Sequence, residues 1–254
     1  MMAPSRNRDD PSDDGGKALA QGAFFGRRKG HRLRSHQAEL IEHLLPHLAL
    51  DITGSAPGDL TRLLEDGITE DGITKDGITD VRLEIGFGGG EHLVAEARAF
   101  PQTGFIGCEP YVNGMAKILT QIEAHNIGNI RLFAGDAAEL LAWAPPQSMR
   151  RIDLIHPDPW PKRRHWKRRF VQDSTVAAMA RILKADGEFR FVSDIDDYCA
   201  WTLSHLLRSP DFFWTAERAS DWQAPWPDYT MTRYGAKAER EGREATYLRF
   251  RRVN

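Results

Sequence analysis

The residues best suited to chemistry lie in one stretch, residues 151–169, which reads RIDLIHPDPWPKRRHWKRR. A single carboxylate, Asp158, stands between two prolines, and the aromatic Trp160 follows it. Proline fixes its own backbone and donates no amide hydrogen, so this segment must leave a strand as a stiff, extended loop. A fixed acid and a flat ring beside a basic patch are typical of a nucleic-acid active site. The alternative is a solvated basic turn before a helix.

The basic patch consists of six cationic residues: Lys162, Arg163, Arg164, Lys167, Arg168 and Arg169. Further cationic clusters occupy residues 27–34 and 233–252, although the net charge of the whole chain is only -2. Clustered cations favour contact with nucleic-acid phosphates whatever the total charge is. The segment before residue 35, FFGRRKGHRLR, is therefore either a phosphate-binding arm or a solvated tail.

Alternating strand and helix patterns must position these residues. Apolar runs predict five strands, at residues 81–85, 104–108, 130–133, 152–155 and 188–192. Helical spacing predicts intervening helices at residues 91–99, 112–125, around Leu140, 167–183 and 198–207, and two late strands near 212–215 and 246–251. A further helix is expected to run through Leu40, Leu44 and Leu48, with Ser35 as its N-cap. The alternation predicts an α/β fold with a doubly wound, mostly parallel, seven-stranded sheet.

Each of the five predicted parallel strands carries an acid at its carboxyl end: Glu84, Glu109, Asp136, Asp158 and Asp194. Ligands of such sheets bind beyond the carboxyl ends of the strands. Taken singly, each of these acids is more simply explained as a helix cap or a solvent-exposed carboxylate. Five acids at equivalent topological positions indicate a binding site.

The loop after the first strand is rich in glycine, which lets its backbone approach a ligand closely at Gly86 and Gly88. It is not the dinucleotide fingerprint, because Glu91 stands where the third glycine belongs. Glu109 is placed to accept both ribose hydroxyls of an adenosine, and Asp136 to accept from its amino group. The repeated acids favour a cationic ligand over a pyrophosphate, and S-adenosylmethionine fits that field.

Six motifs carry a closer resemblance: LEIGFGGGEH, GCEPY, GDAAEL, HPDPWPKRRHWKRR, SDIDDY and TRYGAKAEREGR. In this order and spacing the chain resembles the bacterial tRNA (guanine-N7-)-methyltransferase family, from about Phe25 to the C-terminus. The resemblance implies a Rossmann-like class I methyltransferase fold with an antiparallel last strand. It also implies transfer of a methyl group from S-adenosylmethionine to N7 of a guanine in the tRNA variable loop, position 46.

The resemblance assigns site residues as well. Asp158 is expected to be catalytic, and the methyl donor is expected to contact Glu84, Gly86, Gly88, Glu109, Asp136 and Asp158. The expected tRNA contacts are Lys162, Asp194, Thr232, Arg233, Tyr234 and Gly235. The family usually has glutamate where this chain has Gly235.

Two other functions remain open. An exocyclic-amine methyltransferase of RNA or DNA bases carries a short proline-aromatic motif at the same strand end, with Asn or Asp followed by two prolines. A catalytically silent RNA-binding partner would keep the same fold. The acids present at the end of every predicted parallel strand argue against such a loss of catalytic activity.

The remaining expectations concern the whole chain. We expect a disordered tail at residues 1–24 and a single domain at residues 25–254, with a basic segment at 25–50 and a repeat-bearing loop at 65–80, where EDGIT, EDGIT and KDGIT follow one another. Two cysteines exclude a disulfide framework and a four-cysteine zinc site. No leading segment has the apolar stretch of a signal peptide. We expect a cytoplasmic monomer or homodimer that binds tRNA, with no metal and no membrane contact.

Overall fold

Seven strands form one sheet in the computed structural model, which describes residue 26 and residues 28–67 and 77–253. The strands are β1 (Asp80–Ile85), β2 (Thr103–Cys108), β3 (Ile130–Phe133), β4 (Met149–Ile155), β5 (Leu183–Ser193), β6 (Phe212–Trp214) and β7 (Thr246–Arg252). Their order across the sheet is β3-β2-β1-β4-β5-β7-β6. The first five are mutually parallel, and β7 runs antiparallel to both of its neighbours. The predicted fold class is confirmed.

The helices in chain order are α1 (Ser35–His43), α2 (Leu45–Leu48), α3 (Glu91–Ala99), α4 (Val112–His125), α5 (Ala137–Trp143), α6 (Asp173–Ile182), α7 (Asp196–Arg208), α8 (Ser220–Gln223) and α9 (Arg233–Arg240). Two 3₁₀ helices cover Leu60–Gly67 and Arg163–Arg168. Among the described residues, no helix combines the length and the apolar content that a membrane span requires.

Among the described residues, two large apolar clusters and a small one around Trp226 cover the two faces of the sheet. Phe105 of β2 packs with α3 and α4, whereas its neighbour Ile106 packs with α5, α6 and α7. Consecutive residues of a strand point to opposite faces, so helices shield both sides. This layering is why the central strands are buried on both faces and why their open ends are free to form a site.

Two predicted helices differ from the structure. The helix expected at residues 167–183 begins at Asp173, because the amide groups of Phe170 and Val171 donate to the Tyr198 hydroxyl at 3.1 and 3.5 Å. These amides are therefore unavailable to a helix.

Ser35 is the first residue of α1 and not its N-cap, which is Arg34. The helix expected to run through Leu48 is divided at Leu44 into α1 and α2, because Pro46 in the first turn of α2 cannot donate a hydrogen bond to the preceding turn.

The remaining boundaries agree with the sequence to within a few residues, apart from β5, which begins at Leu183 instead of residue 188. The predicted disordered tail and residues 68–76 of the repeat lie outside the described residues. The repeat's end does pack: Ile78 contacts the larger core, and the amide of Thr79 donates to Gln102 O at 3.0 Å.

Candidate active site

A loop of glycines turns the chain from β1 into α3 at the carboxyl edge of the sheet. Gly86, Gly88 and Gly90 have φ values of +70°, +57° and +83°, where side chains are strained. A Cβ built at Gly86 would meet nothing within 4 Å, so the backbone there faces open space. A Cβ at Gly114 of α4 would lie 2.4 Å from Gly88 O. A glycine at position 114 therefore lets α4 pack directly on this loop, residues 86–90, which we call the glycine loop.

Glu109 follows β2 and joins the glycine loop. Its carboxylate accepts the Gly88 amide at 2.8 Å and the Tyr111 amide at 3.0 Å. Burial raises the pKa of this carboxyl; the two amides oppose that effect, and the charge of Asp158 adds to it. The contact holds the backbone of the glycine loop beside the Glu109 carboxylate, the group that we expected to bind the ribose.

Glu84 lies within β1 and is buried. Its Oε2 lies 2.7 Å from Nδ1 of His92 in α3. Burial raises the pKa of Glu84. Burial alone would lower the pKa of His92, but Glu84 and neighbouring acids raise it to about 9. The pair therefore links β1 to α3, on either side of the glycine loop in sequence, by a buried contact.

Asp136, after β3, has a clear local role. It is the N-cap of α5, and its carboxylate accepts the Ala138 amide at 2.9 Å. An N-cap uses one oxygen for the helix, which leaves the other oxygen of this partly exposed side chain available.

The segment after β4 is a strained loop, residues 156–161, which we call the proline loop. His156 and Trp160 have φ values of +47° and +43°, a region that residues other than glycine rarely adopt. Between them Asp158 lies at the surface, and partial loss of water around its carboxyl raises the pKa of that group. Strain of this kind persists only where tertiary contacts enforce it.

Trp160 is partly exposed and contacts Arg168 and His165. The Arg168 guanidinium lies 5.0 Å from the centroid of its ring, and His165 meets the ring edge-on at 5.9 Å. The Trp160 ring therefore packs against the basic segment that follows the proline loop, although Trp160 itself is part of that loop.

Asp194, at the end of β5, connects three segments. It accepts Nε of Arg243 at 2.6 Å, and its other oxygen lies 3.2 Å from Nδ1 of His156. Partial burial would raise the pKa of Asp194, but these hydrogen bonds lower it below its ordinary value. Burial lowers the pKa of His156 despite this partner. An ionised Asp194 thus ties the start of the proline loop to the segment before β7.

The late motif, residues 232–235, folds over the glycine loop. Thr232 is the N-cap of α9, where its hydroxyl accepts the Gly235 amide at 3.2 Å. A Cβ at Gly88 would lie 3.4 Å from the Tyr234 ring and 3.7 Å from Nη2 of Arg233. The predicted donor-binding and tRNA-binding segments are therefore adjacent.

Gly235 allows α9 to approach the proline loop. A Cβ there would lie 2.6 Å from the Met231 sulfur and 3.1 Å from Nε2 of His156. A larger residue at this position requires those side chains to move, which gives a physical consequence of the missing glutamate.

The basic patch divides into exposed and buried cations. Lys162, Arg163, Arg164 and Lys167 are exposed, whereas Arg169 is 2% exposed. The N-terminal basic segment also reaches this edge of the sheet. Asn113, in the first turn of α4, accepts the Gly30 amide and donates to His31 O, both at 2.7 Å.

Comparison with known proteins agrees with this geometry. A family model described as "Putative methyltransferase" matches residues 79–248. A protein named tRNA (guanine-N(7)-)-methyltransferase from Rhodopseudomonas palustris (strain BisB18) is 72% identical over 96% of this chain and 94% of its own length. A protein of the same name from Bradyrhizobium diazoefficiens is 71% identical over 98% of this chain and 99% of its own. The chain belongs to this family.

The fold has a counterpart among solved structures as well. The 16S rRNA methyltransferase KamB superposes with a TM-score of 0.51, at 14% identity, over 70% of this chain and 89% of that one. This likeness concerns the fold alone. The family that the sequence motifs indicated is confirmed. In the described part of the chain, no group of three or more His, Cys, Asp or Glu side chains is arranged to hold a metal ion.

Sequence reasoning missed several residues that shape the site. His156, Arg169, Asn113 and Arg243 all make contacts over long sequence distances. The only sequence signal was their place within or beside a motif, which says nothing of which way a side chain turns.

Proposed function

We propose that this family member transfers the methyl group of S-adenosylmethionine to N7 of guanine 46 in the variable loop of tRNA. One observation carries the proposal: the glycine loop, anchored on Glu109, and the proline loop, carrying Asp158, leave neighbouring strands at the same edge of the sheet. A methyl-donor cradle and a nucleic-acid loop thereby face one reaction space.

The residues of the cradle fit the methyl donor. Gly86 faces open space, and Glu109 ends β2 with a carboxylate suited to ribose hydroxyls. Glu84, Gly86, Gly88, Glu109, Asp136 and Asp158 are the proposed contacts. S-adenosylmethionine supplies an electrophilic methyl group on a sulfonium, and the acids at this edge favour a cation.

The chain's own residues act on the base. Guanine N7 already carries a lone pair, so no general base is required. As N7 bonds to the methyl carbon, the carbon–sulfur pair stays with sulfur and positive charge passes to the imidazole ring. We propose that the Asp158 carboxylate stabilises that developing charge and orients the base. Alignment of the two reactants supplies much of the remaining acceleration.

The tRNA is held, in this proposal, by Lys162, Asp194 and residues 232–235. The exposed cations of the basic patch contact phosphates and give binding its salt dependence. Asp194 is already engaged with Arg243 and His156, so it acts on tRNA with its remaining lone pairs or by exchanging partners. We further propose a single domain at residues 25–254, a cytoplasmic location and a monomeric or homodimeric state.

The reaction is tested by its chemical signature. Methylation at N7 leaves a fixed positive charge that makes the base reducible by borohydride and the chain cleavable by aniline. Unmodified tRNA is incubated with the protein and S-adenosylmethionine, treated with both reagents, and sized. We expect one dominant cut, at guanine 46.

The same experiment separates the alternatives. An exocyclic-amine methyltransferase gives methyl transfer without a cut, and a silent RNA-binding partner gives neither. A dominant cut at another guanine would retain the chemistry and refute the position. The matched control is a tRNA with adenine at position 46.

A further inference from the structure

Arg169 differs from the other cations of the basic patch because it is inside the protein. Its side chain is 0% exposed, and its guanidinium lies 5.0, 5.0 and 5.2 Å from the ring centroids of Trp166, Tyr198 and Trp201. An arginine stacked among three aromatic rings has lost its hydration and cannot reach a phosphate. Its sequence position alone would have assigned it to RNA binding.

The polar contacts of Arg169 join two active-site segments. Nε donates to Pro159 O at 2.9 Å, in the residue directly after Asp158. Nη2 pairs with the carboxylate of Asp197, in the first turn of α7. One planar group therefore ties the proline loop to the helix that follows β5.

The surrounding chain is fixed to the same helix. The Tyr198 hydroxyl accepts the Phe170 amide at 3.1 Å, and Nε1 of Trp201 donates to Val171 O at 2.7 Å. The Gln172 side chain donates to Arg169 O at 3.1 Å. Both the side chain of Arg169 and the main chain that follows it are therefore attached to α7. This attachment leaves the guanidinium little freedom to move with the proline loop.

We propose that Arg169 is a positioning residue for methyl transfer, which holds Asp158 at its working position through Pro159 O and contacts no RNA. The proposal rests on the proposed role of Asp158. A planar fork is required, because a lysine ammonium cannot stack among three rings while reaching both Pro159 O and Asp197. The strained φ angles on either side of Asp158 explain why the loop needs an external anchor.

The test compares Arg169→Met and Arg169→Lys with Lys167→Met, which removes an exposed cation two residues away. We expect both Arg169 variants to lower kcat about tenfold or more while KM for tRNA stays within about threefold, since alignment is lost and binding is not. The salt slope of tRNA binding should be unchanged in these variants. In Lys167→Met that slope should fall by about 0.7–0.9 units. A reduced slope in Arg169→Met, or rescue of kcat by Arg169→Lys, would overturn the proposal.

A double-mutant comparison shows whether Arg169 acts through Asp158. In an Asp158→Asn background, Arg169→Met should lower kcat by less than about twofold further, because the positioned charge is already gone. Equal losses in both backgrounds would contradict the proposal. Full turnover in Asp158→Asn alone would instead refute the proposed role of Asp158. Any effect of the Arg169 variants would then reflect the conformation of the proline loop and not the position of a catalytic charge.

Removing a buried guanidinium risks the fold, so a milder variant accompanies it. Asp197 is half-exposed, and Asp197→Asn removes the ion pair while leaving Arg169 in its aromatic cage. We expect a fall in kcat of about threefold with unchanged KM for tRNA and unchanged S-adenosylmethionine affinity. If Arg169→Met does not fold, this variant decides, and an unchanged kcat would overturn the proposal.

Discussion

The glycine loop and the proline loop leave the same edge of the sheet, and both adopt left-handed backbone angles. The glycine loop does so with residues that have no side chain to strain. The proline loop does so at His156 and Trp160, and its conformation is held by contacts from distant residues. The first loop takes these angles at glycines, where they cause no strain, and the second takes them at residues that only tertiary contacts can hold there. The difference suits their roles, since one must let a ligand approach and the other must hold a charge still.

The largest effect should come from removing the charge that the proline loop presents. Asp158→Asn keeps the shape of the side chain and removes its charge. We expect kcat to fall about 100-fold or more, in the range of a lost electrostatic stabiliser, while tRNA affinity stays within a few-fold. Single-turnover kinetics and direct tRNA binding measure the two quantities. An equal loss of tRNA affinity would make Asp158 an anchoring residue instead.

A substitution beside the glycine loop should act differently, by crowding the loop backbone and weakening the binding of the methyl donor. In Gly114→Ala the new methyl group would lie 2.4 Å from Gly88 O, so the loop must shift. Overpacking of this kind costs about 1–3 kcal/mol, and we expect S-adenosylmethionine affinity to fall about tenfold in calorimetric titration. Gly54→Ala is the matched control, because a Cβ there meets nothing within 4 Å. Unchanged affinity in Gly114→Ala would show that the loop tolerates movement.

Loss of the exposed cations after the proline loop should weaken tRNA binding and leave the binding of S-adenosylmethionine unchanged. Neutralising Arg163 and Arg164 together should reduce the salt slope of tRNA binding by roughly 1.5 units, because two phosphate contacts are lost. S-adenosylmethionine affinity should not change. A slope equal to that of the unaltered protein would mean that these arginines are only a solvated face.

The smallest effect should come from the repeat. Removing one five-residue unit, residues 70–74, should leave activity and melting temperature nearly unchanged. Ile78→Ala is the contrast, since Ile78 is partly buried and packs against the core, and loss of part of its buried apolar surface should cost about 1 kcal/mol. A large loss of activity after the deletion, with the fold intact, would assign the repeat a function.

The two loops also show what a sequence can reveal. The glycine loop, α4 and β3 follow from local patterns, and the structure has α4 and β3 at the predicted residues. The proline loop was recognisable by composition, but its anchors were not. Arg169 looks like its neighbours in the basic run, and only the folded chain shows its aromatic cage. For the same reason the Tyr198 hydroxyl, which delays the start of α6, left no local trace.

Asp136 and Thr232 illustrate a second limit of sequence reasoning. Both were predicted as ligand contacts, and both serve as helix N-caps. A cap and a binding residue look alike in sequence, because each requires a short polar side chain before a helix. The geometry shows the cap directly, and binding experiments must test the ligand contact.

The dependence of methyl transfer on pH tests the central claim, that an ionised Asp158 held by the proline loop drives the reaction. Partial burial raises the pKa of Asp158, so the active carboxylate is lost, on acidification, at a higher pH than an ordinary aspartate would be. The ratio kcat/KM for tRNA, which reports groups of the protein before tRNA binds, should therefore decline on the acid side with a midpoint above the ordinary aspartate range. In Asp158→Asn, which lacks this carboxyl, the decline should move or shrink, because only other acids such as Glu109 still titrate. An identical acid limb in both proteins would contradict the account.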